Sequence, residues 1–469
     1  MNEVKLGEPI PNSIHAVSVS LPEWDDVVGY EEAHPRVINA MKLGYPRFVY
    51  HPFIKQLSAE CEKKFAKESE FCLPFPSEKV AKNCIKFCGE GRVEKFHDSV
   101  FAVVLPKGLE RKAKEFWMHA GFIVSSRLAE DVLSQKPEAK SRKPKQEIKE
   151  KLASLSGAAE KDIYLYPSGM AAIFSAYEIA GNGNTIQLGF PYVDTLKIQE
   201  KFGKAVFINY RSETDLATLE ANLAKGGVGA VVTEFPLNPL LTCIELEEVQ
   251  KLCHKYGAAL VVDDTLATWE NVNVLKYADI AVTSLTKFFS GVGNVLAGSL
   301  ILNSKSPFYQ KLKAKLDADY EDLFYAKDAE VLAENCKDFE DRFERINQNA
   351  EAFFEKLKKV PFVKKVYYTK DNPTYKKYKN AGAGYGGIIS VEFETIEEAK
   401  IFYNSLTCKK GPSLGTNYTL ACPYTMLAHY YERDFAENCG VPFHLIRISV
   451  GLEDFEEIKT KFDAALKVV

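Results

Sequence analysis

The chain has no apolar run approaching the ~18 residues that a membrane-crossing helix needs, and its first residues, Met1 to Pro11, hold no apolar signal core. It also lacks an excess of either charge. Sixty basic residues against 64 acidic ones leave a formal net charge of −4, so neither nucleic acid nor an anionic membrane surface is expected as a partner. Cysteine is sparse: ten residues lie scattered from Cys61 to Cys439. That spread does not make a disulfide framework. Cys84 and Cys88 lie four apart on one helical face, but no second Cys or His pair stands near them at ligand spacing, so no metal site is expected. Ordinary buried thiols in a reducing cytoplasm are the reading that follows. No internal repeat, coiled-coil heptad or collagen-like period is present, and long disordered tails are excluded.

What remains is an ordinary globular composition, 46% hydrophobic and 26% charged over 469 residues. That length suits two or three domains. From Ile186 onward short β-rich runs alternate with helical patterns. The candidate strands are Ile186–Phe190, Ala205–Tyr210, Gly229–Phe235, Ala258–Asp264, Asp279–Thr286 and Val295–Leu302. Several are apolar throughout, as strands covered on both faces must be. Repeated β-α-β order predicts an α/β fold with a mostly parallel sheet and helices on both faces. Leu332, Cys336, Phe339, Phe343, Ile346, Ala350, Phe353 and Leu357 step by four and three, which predicts one long helix closed by Pro361. A smaller α+β region follows, with Gly386–Phe393 and His444–Val450 as strands and Thr395–Leu406 as a helix. Upstream, residues 48–133 read as short mixed elements, and Gln135–Lys151 as a polar, basic linker. The expected regions are an N-terminal arm with an extra segment and linker (1–150), a large α/β domain (151–325) and a C-terminal domain (326–469).

Residues with chemistry in them fall at strand ends. Lys287 follows Ser284-Leu285-Thr286 at the carboxyl edge of a buried strand, where α/β folds place ligands. By itself it reads first as a snorkelling strand-end lysine. Asp263 ends another apolar strand, where a carboxylate needs a cationic partner; its neighbour Asp264 reads as solvated or bonded to the turn. Ser168-Gly169-Met170-Ala171-Ala172-Ile173 opens a helix with free N–H groups, an anion site or simply a well-capped start. Asn238 stands between Pro236 and Pro239, either an amide aimed at a ligand oxygen or plain turn chemistry. An anion-binding helix start, the aromatic Tyr192, then Asn238, Asp263 and Lys287, each at a strand end of one sheet, describe a cradle for pyridoxal phosphate.

With those residues in place the chain resembles the pyridoxal-phosphate enzymes of cysteine and methionine metabolism, the transsulfuration family, and most of all the fungal type of cystathionine γ-synthase. The resemblance runs from about Lys151 to the C-terminus. It rests on Ser168–Ile173, Asn238-Pro239-Leu240-Leu241, Val262-Asp263-Asp264-Thr265, Ser284-Leu285-Thr286-Lys287, Ser413-Leu414-Gly415 and Leu445–Asp454. It implies the aminotransferase-like fold (type I) and assigns roles by position. Lys287 matches the Schiff-base lysine and Asp263 the acid on the ring nitrogen. Gly169, Met170, Ser284 and Thr286 match phosphate contacts. Tyr192 matches the tyrosine stacked on the ring, with a catalytic part as well, and Asn238 the asparagine near the ring hydroxyl. Arg447 and Ser413 match the clamp on the substrate carboxylate, for which an arginine fork is suited.

The family's Tyr-Ser-Arg, which reaches the neighbouring subunit's phosphate, has two candidates here. Tyr45-Pro46-Arg47 keeps the tyrosine but lies far upstream; Ser125-Ser126-Arg127 lies closer, and spacing favours Arg127. A site at a subunit interface implies a homodimer or homotetramer. The implied reaction is γ-replacement in methionine biosynthesis, in which an O-acylhomoserine, succinyl or acetyl, condenses with cysteine to form cystathionine. A carbon–sulfur lyase acting on cystathionine is the alternative within the same chemistry, and a cofactor-fold binding protein without catalysis the alternative outside it. Pro412 stands where many relatives carry a glutamate, which argues against the lyase.

Overall fold

The computed structural model describes residues 5–137 and 139–469. Its N-terminal segment carries a two-residue antiparallel ladder, β1 (Pro9–Ile10) on β2 (Ser18–Val19). The residues read as short mixed elements form a compact unit. In it β3 (Glu70–Phe75), β4 (Arg92–His97) and β5 (Val100–Pro106) make an antiparallel sheet in the order β3-β5-β4. Four helices cover it: Pro52–Phe65, Glu78–Cys88, Glu110–Ala120 and Ser126–Leu133. Phe116 and Trp117 of this unit share an apolar cluster with Met170 and Phe174, so it packs on the helix that opens at Gly169.

The expected linker is half helix. Lys143–Ser156 is helical because Ile148 and Leu152 are fully buried in the main core, which a polar composition average hides.

The large sheet contains β6 (Ile163–Tyr166), β7 (Asn184–Leu188), β8 (Lys204–Ile208), β9 (Ala230–Glu234), β10 (Ala259–Asp263), β11 (Ile280–Thr283) and β12 (Gly298–Leu302), in the order β6-β12-β11-β10-β9-β7-β8. β8, β7, β9, β10 and β11 pair in parallel, while β12 runs antiparallel between β11 and β6. The carboxyl ends of β6, β7, β9, β10 and β11 therefore meet at one edge, the place where ligands bind in such sheets.

The predicted single long helix is two, Ala326–Asn335 and Phe339–Leu357. The apolar step survives the turn because Leu332, Cys336 and Phe339 all point into the same core. Beyond it β13 (Val363–Tyr367), β14 (Ile388–Phe393), β15 (Lys409–Lys410), β16 (Leu420–Pro423) and β17 (Ile446–Ser449) form a second sheet, ordered β13-β14-β17-β16-β15. The helix Ile396–Ser405 starts in a capping box, with Thr395 and Glu398 satisfying each other's backbone N–H. All ten cysteines are buried. Among the described residues no helix is long and apolar enough to cross a membrane.

Candidate active site

A cavity of about 790 Å³ lies at the carboxyl edge of the large sheet, closed on one side by β17 and on the other by the N-terminal segment. Its floor starts at β6. Ser168 caps the helix Gly169–Ala180, its Oγ accepting from Ala171 N at 3.1 Å, and donates to Gly121 O of the N-terminal unit at 2.8 Å. Gly169 is needed there: an added Cβ would lie 2.8 Å from Ser284 Cβ. Met170, Ser284 and Thr286 line the same end. Ser284 N donates to Thr265 Oγ1 at 2.8 Å, and the Thr286 hydroxyl accepts from Ala297 N at 2.9 Å, tying the loop after β11 to the entry of β12.

Asp263 and Glu234 end adjacent strands in register. Asp263 accepts from Thr265 N at 2.9 Å and has no ion pair among the described residues; burial raises its pKa, the Thr265 bonds opposing. Burial, with Asp263 beside it, pushes Glu234 up to about 8. The Glu234 carboxyl accepts from the backbone N–H groups of Tyr192 and Asn238, and so fixes both residues that flank the cavity. Asp264 is neither solvated nor a turn ligand. It is fully buried, accepts from the Thr283 hydroxyl, and is raised by burial to about 8.

Lys287 Nζ sits between two hydroxyls, donating to Tyr45 Oη at 2.9 Å and to Ser413 Oγ at 2.8 Å. Burial holds this amine below its ordinary pKa, with Tyr45 pulling the other way. For Tyr45, burial alone would raise the phenol, but the Lys287 and Arg47 cations outweigh it and the pKa falls. Arg447 lies in mid-strand on β17. Its Nη2 donates to Ser413 O at 2.9 Å and its Nη1 to Asn238 Oδ1 at 3.1 Å, and its guanidinium lies 4.9 Å over the Tyr424 ring. Asn238 in turn donates to Tyr424 Oη at 3.3 Å.

Of the residues to which the resemblance assigns a site role, Arg127 alone lies outside this cavity. Its guanidinium donates to Asp328 at 2.8 Å and to Asn294 O at 2.9 Å, a buried structural pair. The cationic place is held by Arg47, 3% exposed, which donates to Tyr192 Oη, Asp194 Oδ2 and Met118 O, each at 2.8 Å. Within the chain the cavity thus holds Tyr45 and Arg47 of the upstream candidate, and not Arg127. Glu234, Asp194, His119 and Tyr424 were not singled out. Glu234 carries the same strand-end signal as Asp263; Tyr424 and His119 carry none.

These residues fit pyridoxal phosphate. The open helix start and hydroxyls suit its phosphate, the half-buried Asp263 carboxyl without a cation suits a protonated ring nitrogen, and a buried amine of lowered pKa suits its aldehyde. Fold and cradle together define a pyridoxal-phosphate enzyme of the aminotransferase-like class.

Comparison with known proteins agrees. Residues 140–467 match the family described as Cys/Met metabolism PLP-dependent enzyme, and residues 53–125 match the fungal trans-sulfuration enzyme, N-terminal domain. The chain belongs to this Cys/Met metabolism family of pyridoxal-phosphate-dependent enzymes. The cystathionine gamma-synthase of Neurospora crassa is 35% identical, over 100% of this chain and 99% of that protein. The cystathionine gamma-synthase of Saccharomyces cerevisiae is 31% identical over 98% of each. A crystal structure of metB from Corynebacterium glutamicum matches at TM-score 0.60 and 25% identity, covering 68% of this chain and 84% of that one.

Proposed function

We propose that the protein catalyses γ-replacement on an O-acylhomoserine with cysteine as the incoming thiol, forming cystathionine. The observation that carries the reading is the placement of Lys287 Nζ against Ser413, whose carbonyl Arg447 also holds. A base and a carboxylate-binding fork thus face the same small volume, as an α-amino acid requires.

When bound, pyridoxal phosphate supplies a ring that withdraws electrons from the substrate's Cα. The protein's own groups do the rest. Arg447 binds the α-carboxylate with its planar fork and orients the Cα–H bond. Lys287 Nζ, a weakened base in a dry site, takes the Cα proton, then takes one from Cβ as the acyl group leaves Cγ as its carboxylate, and returns protons to Cβ and Cα once the thiolate has added at Cγ; positioned acid–base catalysis of this kind contributes about 10²–10⁴-fold. The Tyr45 hydroxyl, in contact with that amine, exchanges protons with it. Asp263 balances positive charge on the ring nitrogen. Loss of the acyl group from Cγ opens that carbon to the cysteine thiolate.

The competing reading is a lyase that cleaves cystathionine. Pro412 lines the cavity where a glutamate would offer charge to a distal ammonium group. Losing one charged contact costs about 1.5–3 kcal/mol. The expected result is a kcat/KM for O-acylhomoserine plus cysteine at least about tenfold above that for cystathionine cleavage, ~1.4 kcal/mol in transition-state binding. Faster cleavage than synthesis would replace this reading with the lyase.

A further inference from the structure

We infer that Glu234 and Asp263 work as one carboxyl pair, with Glu234 keeping the pair's proton and Asp263 its negative charge. Glu234 is then the positioning residue that decides which charge a cofactor ring nitrogen meets at Asp263. The inference rests on the place given to Asp263 above and not on the identity of the acyl donor. The pair is built from two strands of one sheet, so it is the same whichever subunit supplies the rest of the pocket.

Geometry brings the two acids together. Asp263 ends β10, Glu234 ends β9, and the two are register partners in a parallel ladder. Partners on neighbouring strands stand on the same face of a sheet, about 4.8 Å apart. No cation reaches either carboxyl among the described residues. Arg47 is engaged with Asp194 and Tyr192, Lys287 with Tyr45 and Ser413, and Arg447 with Ser413 O and Asn238. Two carboxylates so close, shielded from bulk water and without a counter-ion, do not both ionise. One proton therefore stays on the pair.

Their surroundings decide which member keeps it. Asp263 is half-buried and lines the cavity, and the Thr265 N–H, at 2.9 Å, and hydroxyl both favour its anion. Glu234 is 5% exposed. It accepts from the N–H groups of Tyr192 and Asn238, which also favour an anion, but burial and the neighbouring Asp263 outweigh them and raise it to about 8. The Tyr424 phenol, the other titratable group near Glu234, is raised by its own burial and stays neutral. A positive ring nitrogen at Asp263 sharpens the division, because it stabilises the anion it touches. Pyridinium, carboxylate and neutral acid then sum to no net buried charge. A protonated carboxyl still accepts hydrogen bonds, so Tyr192 and Asn238 keep their places.

The test is difference infrared spectroscopy from about pH 6 to about pH 9.5 on full-length protein labelled with carboxyl-¹³C glutamate, which separates glutamate bands from those of Asp263 and Asp264. Wild type, Glu234→Gln and Asp263→Asn are compared, each stripped of cofactor and each loaded with pyridoxal phosphate. Glu31 and Glu178, also raised by burial, give bands common to all three. Stripped wild type is expected to show one further protonated-glutamate band with a midpoint near 8, missing from Glu234→Gln. In Asp263→Asn that band should remain, its midpoint lower by at least about one pH unit once the neighbouring charge is gone. A merely structural Glu234 would give no such shift. The band should persist at neutral pH on loading; its loss there would leave two anions beside the ring and overturn the inference. Identical glutamate bands in wild type and Glu234→Gln would overturn it as well, since the proton would then lie on Asp263 or be absent. If Glu234→Gln does not fold, Asp263→Asn decides: one glutamate midpoint lowered supports the pair, and none lowered refutes it. Borohydride label on a residue other than Lys287 in the loaded protein would count against the site reading instead, while the stripped protein still judges the pair.

Discussion

Tyr45 and Lys287, 242 positions apart in the chain, are in direct contact, the amine donating to the phenol oxygen at 2.9 Å. Each shifts the other. Burial drives the Lys287 pKa down, and the phenol limits that fall by stabilising the ammonium. Removing the hydroxyl must therefore let the lysine pKa drop further. In Tyr45→Phe stripped of cofactor, pH-dependent labelling of Lys287 with an amine reagent should show the neutral amine appearing at lower pH than in wild type. An unchanged or higher midpoint would separate the two residues.

Asp263 is a half-buried acid with no ion-pair partner among the described residues, beside the buried carboxyl of Glu234. Asp263→Asn should still bind pyridoxal phosphate but lower kcat by at least about a hundredfold, the order of losing one preorganised electrostatic contact. Near-normal turnover with full cofactor occupancy would show that the ring nitrogen does not depend on it.

Arg127 offers the opposite case, a residue whose loss should damage the fold and spare the site. Its side chain and that of Asp328 are 11% and 4% exposed. Removing the arginine leaves a buried carboxyl unpaired, a change that costs about 3–5 kcal/mol. Arg127→Ala should unfold at markedly lower denaturant while retaining cofactor as wild type does at temperatures where it is folded.

Asp264 sets a pH dependence of stability. Its folded pKa is about 8 against ~3.9 for an unfolded aspartate. Because the folded value is raised, the contribution is complete below the unfolded pKa and is lost as pH rises through the folded one. Between pH 6 and 8 that amounts to at most about 3 kcal/mol. At fixed cofactor occupancy, Tm should fall from pH 6 to 8.5 in wild type and fall less in Asp264→Asn, which keeps an acceptor for the Thr283 hydroxyl. Glu234, raised in the same range, leaves a residual slope. Equal slopes in the two proteins would exclude Asp264 as the titrating group.

Local chemistry made much of this protein legible from sequence. Apolar runs ending in Asp263 and in Ser284–Lys287 announce covered parallel strands whose carboxyl ends carry polar groups. The small residues after Ser168 announce a helix start that only glycine keeps open. Arg447 was placed by the resemblance of its motif and not by local chemistry. The helix break at residues 336–338 was not legible, because the apolar period continues across a turn when both helices bury on one core. Glu234 was readable in principle and was overlooked.

Which residues meet across the chain was decided only by tertiary structure. Tyr45-Pro46-Arg47 kept the tyrosine of the family's motif, but its distance along the sequence counted against it and spacing favoured Arg127. An intervening unit of residues 52–133 folds on itself and brings its two ends close together, so distance along the chain stops measuring distance in space. The same unit supplies Met118 and His119 to hold Arg47 and Asp194, contacts with no periodicity or motif behind them. Sequence determines a strand, a cap or a buried face because those depend on neighbours a few residues away. The cationic wall of this pocket depends on hydrogen bonds between groups more than seventy residues apart, as in Arg47 with Met118, and those exist only once the whole chain has packed.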